Sequence, residues 1–188
     1  MGYLPPLVHK DRVYVGTGAG CAALDLDSGK SCWLVSLADL GGCLTSAPVW
    51  AGGTLVAGTN SHLIGMAPVN GRILWSVQLT RFGYFHLAVD HRGLVYASSG
   101  TGELLCADPV GGGILFDVNV NDLPEAWGAP QVTHFVKGSG WKDLGALGSP
   151  SVDGNDLFVG TESGLVLAFH IPPLFGAIPK TKDSPIQP

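Results

Sequence analysis

Charged side chains are scarce: only 13% of the 188 residues are Asp, Glu, Lys or Arg, and the formal net charge is −5. No Lys/Arg-rich run occurs, so the electrostatic footprint of a nucleic-acid binder is missing. No apolar run is long enough to span a bilayer as a helix. Met1-Gly2-Tyr3-Leu4-Pro5-Pro6 has no basic region leading into an apolar stretch, so it does not read as a signal peptide, and a cytoplasmic setting is the expectation. Of the four cysteines (Cys21, Cys32, Cys43, Cys106), none are adjacent and none form Cys-x-x-Cys. A zinc site therefore has no support, and a disulfide framework is not expected in a chain this long. Buried free thiols in a reducing compartment are the expectation.

What is abundant is apolar residues (46%) and glycine (28 residues), with 13 prolines. Many short apolar runs broken by Gly, Pro, Asn and Asp describe an all-β chain with tight turns. Internal repetition organises them. Trp75 follows Trp33 after 42 residues, and Phe116 comes 41 later. Gly29, Gly71 and Gly112 keep the same step, as do Gly16-Thr17 and Gly58-Thr59, with Ser99-Gly100 at the matching place. A period near 40–45 residues with four strands per unit is the range of β-propeller blades. Blades are expected at about 5–37, 46–79, 86–120 and 148–171, with an insertion at 121–147. Together they make one repeat domain over 1–173, followed by a disordered tail at 174–188. About four blades, the last one incomplete, are expected to make an unfinished ring.

The residues Ala23-Leu24-Asp25-Leu26-Asp27-Ser28-Gly29-Lys30-Ser31-Cys32-Trp33 resemble the tryptophan-docking motif of quinoprotein (PQQ-repeat) propellers, Ala-x-Asp-x-x-Thr-Gly-Lys-x-x-Trp. Looser copies follow, one with Gly65, Ala67, Gly71, Arg72 and Trp75, the next with Cys106, Asp108, Gly112 and Phe116. In the fourth unit Ala168 is kept, His170 replaces Asp, and Pro172-Pro173 interrupts the turn. Asp25 or Asp27 can bond nearby backbone N–H groups, Gly29 can supply a positive φ, and the indole of Trp33 or Trp75 is expected to lie buried across the neighbouring blade.

The resemblance implies a propeller fold but no chemistry. Quinoprotein dehydrogenases close an eight-bladed ring around their quinone and calcium, and many place adjacent cysteines against it. This chain has no adjacent cysteines and about four blades, so no cofactor residue carries over and no cofactor is expected. Gly16-Thr17-Gly18-Ala19-Gly20 lacks the ending of a phosphate loop and joins two strands, so it reads as a turn. His86 and His91 bracket one strand without a carboxylate at metal-like spacing. The insertion carries Trp127, His134 and Trp141, either as an interaction loop or packed over one face by its own aromatics.

Two functions are carried forward. The first is a non-catalytic module for protein–protein interaction or scaffolding, completed by a protein partner or a second copy. Related repeats work this way in bacterial outer-membrane assembly lipoproteins, and they also end some adenylate-forming enzymes that resemble acyl-CoA synthetases. The second is a truncated piece of a quinone-dependent dehydrogenase. On either reading the far-UV circular dichroism spectrum is that of a β protein, and a helix content above about 20% would contradict the fold.

Overall fold

A computed structural model describes residues 4–79, 85–122 and 146–171. The insertion residues Trp127, His134 and Trp141, the Pro172-Pro173 pair and the tail at 174–188 lie outside the described residues.

Alternating apolar residues and Gly-bearing turns produce four antiparallel sheets in sequence order. The first contains β1 (Leu7–His9), β2 (Arg12–Thr17), β3 (Gly20–Asp25) and β4 (Ser31–Ser36). The second contains β5 (Val49–Ala51), β6 (Thr54–Gly58), β7 (His62–Met66) and β8 (Ile73–Gln78). The third contains β9 (Phe85–Val89), β10 (Val95–Ser99), β11 (Glu103–Ala107) and β12 (Ile114–Asn119). The fourth has three described strands, β13 (Ser151–Asp153), β14 (Asp156–Gly160) and β15 (Val166–His170). Only two 3₁₀ turns, Ala38–Leu40 and Val120–Asp122, interrupt the β structure of the described residues.

Each sheet is one blade. The innermost strands lie side by side in chain order, β1 against β5, β5 against β9 and β9 against β13. The arc is not closed. Three apolar clusters fill the three joints. Tyr14, Cys21 and Ala23 of blade 1 meet Leu55, Ala57, Ile64 and Met66 of blade 2. Val56 and Leu63 of blade 2 meet Val95, Ala97 and Leu105 of blade 3. Tyr96, Leu104 and Cys106 of blade 3 meet Leu157, Val159, Leu167 and Phe169 of blade 4. A central blade is therefore buried on both faces: β6 and β10 are buried at every position.

A register shift recurs at one place in three blades. It falls between Ala23 and Leu24 in β3, Gly65 and Met66 in β7, and Cys106 and Ala107 in β11. Trp33 pairs with Ala23 while Ser31 pairs with Leu24, which leaves Cys32 as the extra residue of a bulge. Leu74 and Leu115 are its counterparts. The bulge corrects the expectation of buried thiols. Cys21 and Cys106 are buried, but Cys32 is exposed and Cys43 partly so, with all four unpaired. Cys32 sits as the unpaired bulge residue on the outermost strand, where no neighbouring strand covers it among the described residues.

Burial pushes the thiols of Cys21 and Cys106 up to about 12. The folded value is the raised one, so this contribution to stability is full below the unfolded thiol pKa. It is lost as pH rises from about 9 towards 12, by at most about 1.4 kcal/mol per pH unit for each thiol. Denaturation titrations across this alkaline range should show the decline. A thiol-specific disulfide reagent should label Cys32 in the folded protein at near neutral pH and reach Cys21 and Cys106 only on unfolding. Equal labelling rates for all four would contradict the packing.

Candidate interaction surface

The turn between third and fourth strands is built alike in three blades. In blade 1 the Asp25 N–H donates to the Lys30 carbonyl, and the Gly29 N–H donates to the Asp25 carbonyl at 2.9 Å. Ala67, Arg72 and Gly71 repeat this in blade 2, and Asp108, Gly113 and Gly112 in blade 3. Asp25, not Asp27, caps its turn: its carboxylate accepts from the Ser28 N–H and hydroxyl, and these bonds hold its pKa below the usual carboxylate range. Asp108 accepts from the N–H groups of Val110 and Gly111. Blade 2 has Ala67 at this position and makes the same backbone turn without the cap. The glycine at the fifth place has a positive φ each time: 67° at Gly29, 73° at Gly71 and 74° at Gly112.

Onto this turn the preceding blade lays its indole. Trp33 Nε1 donates to the Pro68 carbonyl at 2.9 Å, and Trp75 Nε1 donates to the Pro109 carbonyl at 2.8 Å. The rings lie on glycine. A Cβ built at Gly71 would stand 2.7 Å from Trp33 Cε3, and one at Gly112 would stand 2.6 Å from Trp75 Cδ2. Both indoles are half-buried, not buried, because β4 and β8 are the outermost strands of their blades. Beside Trp33, Arg12 Nη1 donates to the carbonyls of Pro68 and Val69 at 3.3 and 3.0 Å. His9 of β1 stacks on Trp50 of β5 with ring centroids 3.7 Å apart. Phe116 has no N–H to donate, and packs against the cluster between blades 3 and 4 and on Tyr96.

Composition and spacing did not reveal a buried polar group in blade 3. The Asp90 carboxylate accepts from Arg92 Nε at 2.7 Å, from the Leu94 N–H at 2.9 Å and from the Tyr96 hydroxyl at 3.1 Å. Arg92 Nη2 donates to the Tyr96 oxygen at 2.9 Å. Burial drives the phenol pKa far up, so Tyr96 stays a neutral donor. The group ties a turn to its strand. The signal for it was a turn, Asp90-His91-Arg92-Gly93, whose two opposite charges precede an all-buried strand.

The ends of the arc differ from its middle. On the outer face of blade 1, register places Val8, Val13 and Leu24 in one row and Val15, Ala22 and Leu34 in the next. None of the six belongs to a core cluster. Val8 is 55% and Leu34 69% exposed, whereas Leu55, Ala57, Ile64 and Met66, at the matching places of blade 2, are 0% exposed. A shallow groove lined by Thr17, Gly18, Ala19, Leu34, Val35 and Ser36 borders this face. Thr17 and Gly20 pair across Gly18-Ala19, a strand-to-strand turn. At the other end β14 alternates exposed and buried, with Phe158, Val166, Asp156 and Ser151 on the uncovered side. There His170 Nδ1 lies 2.9 Å from Asp156 Oδ1. Among the described residues no group of three or more His, Cys, Asp or Glu side chains could hold a metal ion.

An open arc of antiparallel blades, the first two docked on the next by an indole and the third packed on the fourth by Phe116, defines a chain of the β-propeller class. It belongs to the PQQ-repeat family whose model is described as outer membrane protein assembly factor BamB, which matches residues 2–171. Among solved structures it is similar to BamB from Moraxella catarrhalis, with 22% identity and a TM-score of 0.61, over 86% of this chain and 43% of that one. It is also similar to the computationally designed Ika4 protein, with 14% identity and a TM-score of 0.65, over 89% of each chain. The Neurospora crassa Pan2 WD40 domain is similar at 10% identity and a TM-score of 0.61, over 97% of this chain and 47% of that one. The chain thus spans under half the length of the BamB it matches. No curated protein sequence matches it.

If the glycines are indole platforms, Gly71→Ala and Gly29→Ala should differ in cost. Among the described residues nothing lies within 4 Å of the Cβ position at Gly29, so the positive φ is what opposes a methyl group, and about 1 kcal/mol is expected. At Gly71 displacement of Trp33 adds about 1–3 kcal/mol. Denaturant titrations read by tryptophan fluorescence will decide, and equal losses would mean that the indole contact contributes nothing.

Proposed function

We infer that this chain is a non-catalytic β-propeller module that works by holding polypeptide against its blade faces. The observation that carries this reading is the contrast in burial between the middle and the ends of the arc. β6 and β10 are covered on both sides, while on the outer face of blade 1 Val8 and Leu34 are exposed and Val13, Val15 and Leu24 half-buried, and every second residue of β14 is exposed. Open apolar faces of this kind mark association sites. Membership of a family described as an assembly factor supports the same reading. So does the use of Asp25 and Asp108, the carboxylates of the repeat, as turn caps.

The proposal includes a place within a larger assembly. The chain spans 43% of the Moraxella protein it resembles, which supports a segment of a longer propeller, and a multidomain parent such as an adenylate-forming enzyme is part of the proposal. A cytoplasmic setting belongs to the same proposal, supported by four unpaired cysteines.

Light scattering over a dilution series tests the open arc. Mass should rise with concentration, and Leu34→Glu, which places a charge on the uncovered face, should lower it. A monomer at every concentration would overturn the reading. In parallel, the purified chain with added quinone and calcium should not reduce a dye in the presence of alcohols or sugars. Saturable, quinone-dependent reduction would instead favour a piece of a dehydrogenase.

A further inference from the structure

We propose that Asn70–Gly71 is a site of spontaneous deamidation, held back by the Trp33 indole, and that its conversion to isoaspartate releases blade 1 from blade 2. The chain has five asparagines, and only Asn70 precedes a glycine. Asn60, Asn119, Asn121 and Asn155 precede Ser61, Val120, Asp122 and Asp156, whose Cβ atoms crowd the approach of the main-chain nitrogen to the carboxamide. The same place in the turn is Ser28 in blade 1 and Gly111 in blade 3. Ser28 Oγ accepts from the Lys30 N–H at 3.4 Å, as Asn70 Oδ1 accepts from the Arg72 N–H at 3.1 Å. The fold therefore does not require asparagine there. Of these three turns, only that of blade 2 carries a side chain able to react with its own backbone.

Asn70 is exposed and Gly71 buried. The bond from Arg72 curls the carboxamide back over the main chain and polarises its Cγ–Oδ1 bond. In the reaction the Gly71 nitrogen gives its proton to solvent and attacks Asn70 Cγ. A bond forms between the Gly71 nitrogen and Cγ, closing a five-membered imide. The Cγ–Nδ2 bond breaks, and Nδ2 takes up a proton and leaves as ammonia. Water then opens the imide, and nothing is oxidised or reduced. Opening at Cγ leaves an ordinary aspartate at position 70, and opening at the main-chain carbonyl leaves isoaspartate. The docked blade opposes the first step. The Gly71 N–H donates to the Ala67 carbonyl at 2.8 Å, and the imide needs that nitrogen without its proton. Trp33 Cε3 lies 2.7 Å from the position of a Gly71 Cβ, so Gly71 cannot turn towards Asn70 while the indole rests on it. Trp33 Nε1 and Arg12 Nη1 hold the Pro68 carbonyl of the same turn at 2.9 and 3.3 Å. The indole is thus the latch, and the reaction proceeds through openings of the joint between blades 1 and 2. Isoaspartate adds one atom to the main chain between Ala67 and Gly71. That shifts Gly71 relative to the Pro68 carbonyl, and one rigid indole can no longer stack on the first while donating to the second. The release is one-way, because the added atom is covalent.

The full chain is aged in mildly alkaline buffer, digested at intervals, and assayed by mass spectrometry for the mass gained when the Asn70 amide becomes an acid. It should react about tenfold or more slowly than a synthetic peptide of residues 66–76. Trp33→Ala should bring its rate close to that of the peptide. Because that variant can unfold, Arg12→Ala supplies a milder release: it removes the bonds to Pro68 and Val69 and leaves the indole. It should speed the reaction in a chain that keeps its β circular dichroism spectrum. Leu157→Ala, in the joint between blades 3 and 4, should lower the melting temperature and leave the rate at that of the parent. Asn70→Ser should abolish the mass gain and keep the parent's melting temperature. The isoaspartate-bearing chain, separated by chromatography, should melt below both its parent and Asn70→Asp, with its tryptophan emission shifted to the red. A parent chain that reacts as fast as the peptide would overturn the proposal. So would a Leu157→Ala chain that speeds up as much as Trp33→Ala, because global unfolding would then be the gate. An isoaspartate-bearing chain that melts with Asn70→Asp would overturn the release of blade 1.

Discussion

An indole resting on a glycine sets the spacing and order of the blades. The contact needs three things at once. A turn must hold a positive φ, so that no side chain stands between ring and backbone. A carbonyl must be left free to accept the indole N–H. A bulge must turn the tryptophan of the outermost strand onto the face of its own Ala23 or Gly65 partner, towards the next blade. Remove any one and the large apolar area of the ring loses its seat. The inner strands add their own links, such as His9 on Trp50, but these lie far from the rim and leave the outer strands unsecured.

Much of this was legible because its chemistry is specific. A tryptophan four residues after a turn glycine serves few other purposes, and its recurrence from Trp33 to Trp75 after 42 residues, with Phe116 41 later, set the blade period. The bulge was not legible: its extra residue is Cys32, Leu74 or Leu115, and no residue type marks the position. The exposure of Cys32 followed from it. The Asp90, Arg92 and Tyr96 group escaped because its members are joined by a turn's folding back and not by a spacing rule. The open rows of blade 1 were hidden for a different reason. Val13, Val15, Ala22 and Leu24 alternate like any core strand, and composition cannot say whether a neighbour arrives to cover them.

The two ends of the arc are chemically unlike. Blade 1 offers rows of aliphatic side chains beside a preformed turn, a surface whose affinity comes from burial. Blade 4 offers Phe158 and Val166 among Ser151, Asp153, Asp156 and His170, a surface that must satisfy polar groups when it is covered.

The linear order of the four sheets also governs how the protein comes apart. Among the described residues each sheet packs chiefly on its neighbours in chain order, so cooperativity runs along a line, as in a stack of coupled units. Blades 2 and 3 are held from both sides, and the buried ion pair of Asp90 and Arg92 pins the third from within. Blades 1 and 4 are held from one side. Fluctuations therefore open the arc from its ends inward, with the β13–β14–β15 sheet, which shows no indole clasp among the described residues, as the first to fray. Amide exchange would rank the sheets by distance from the nearest end.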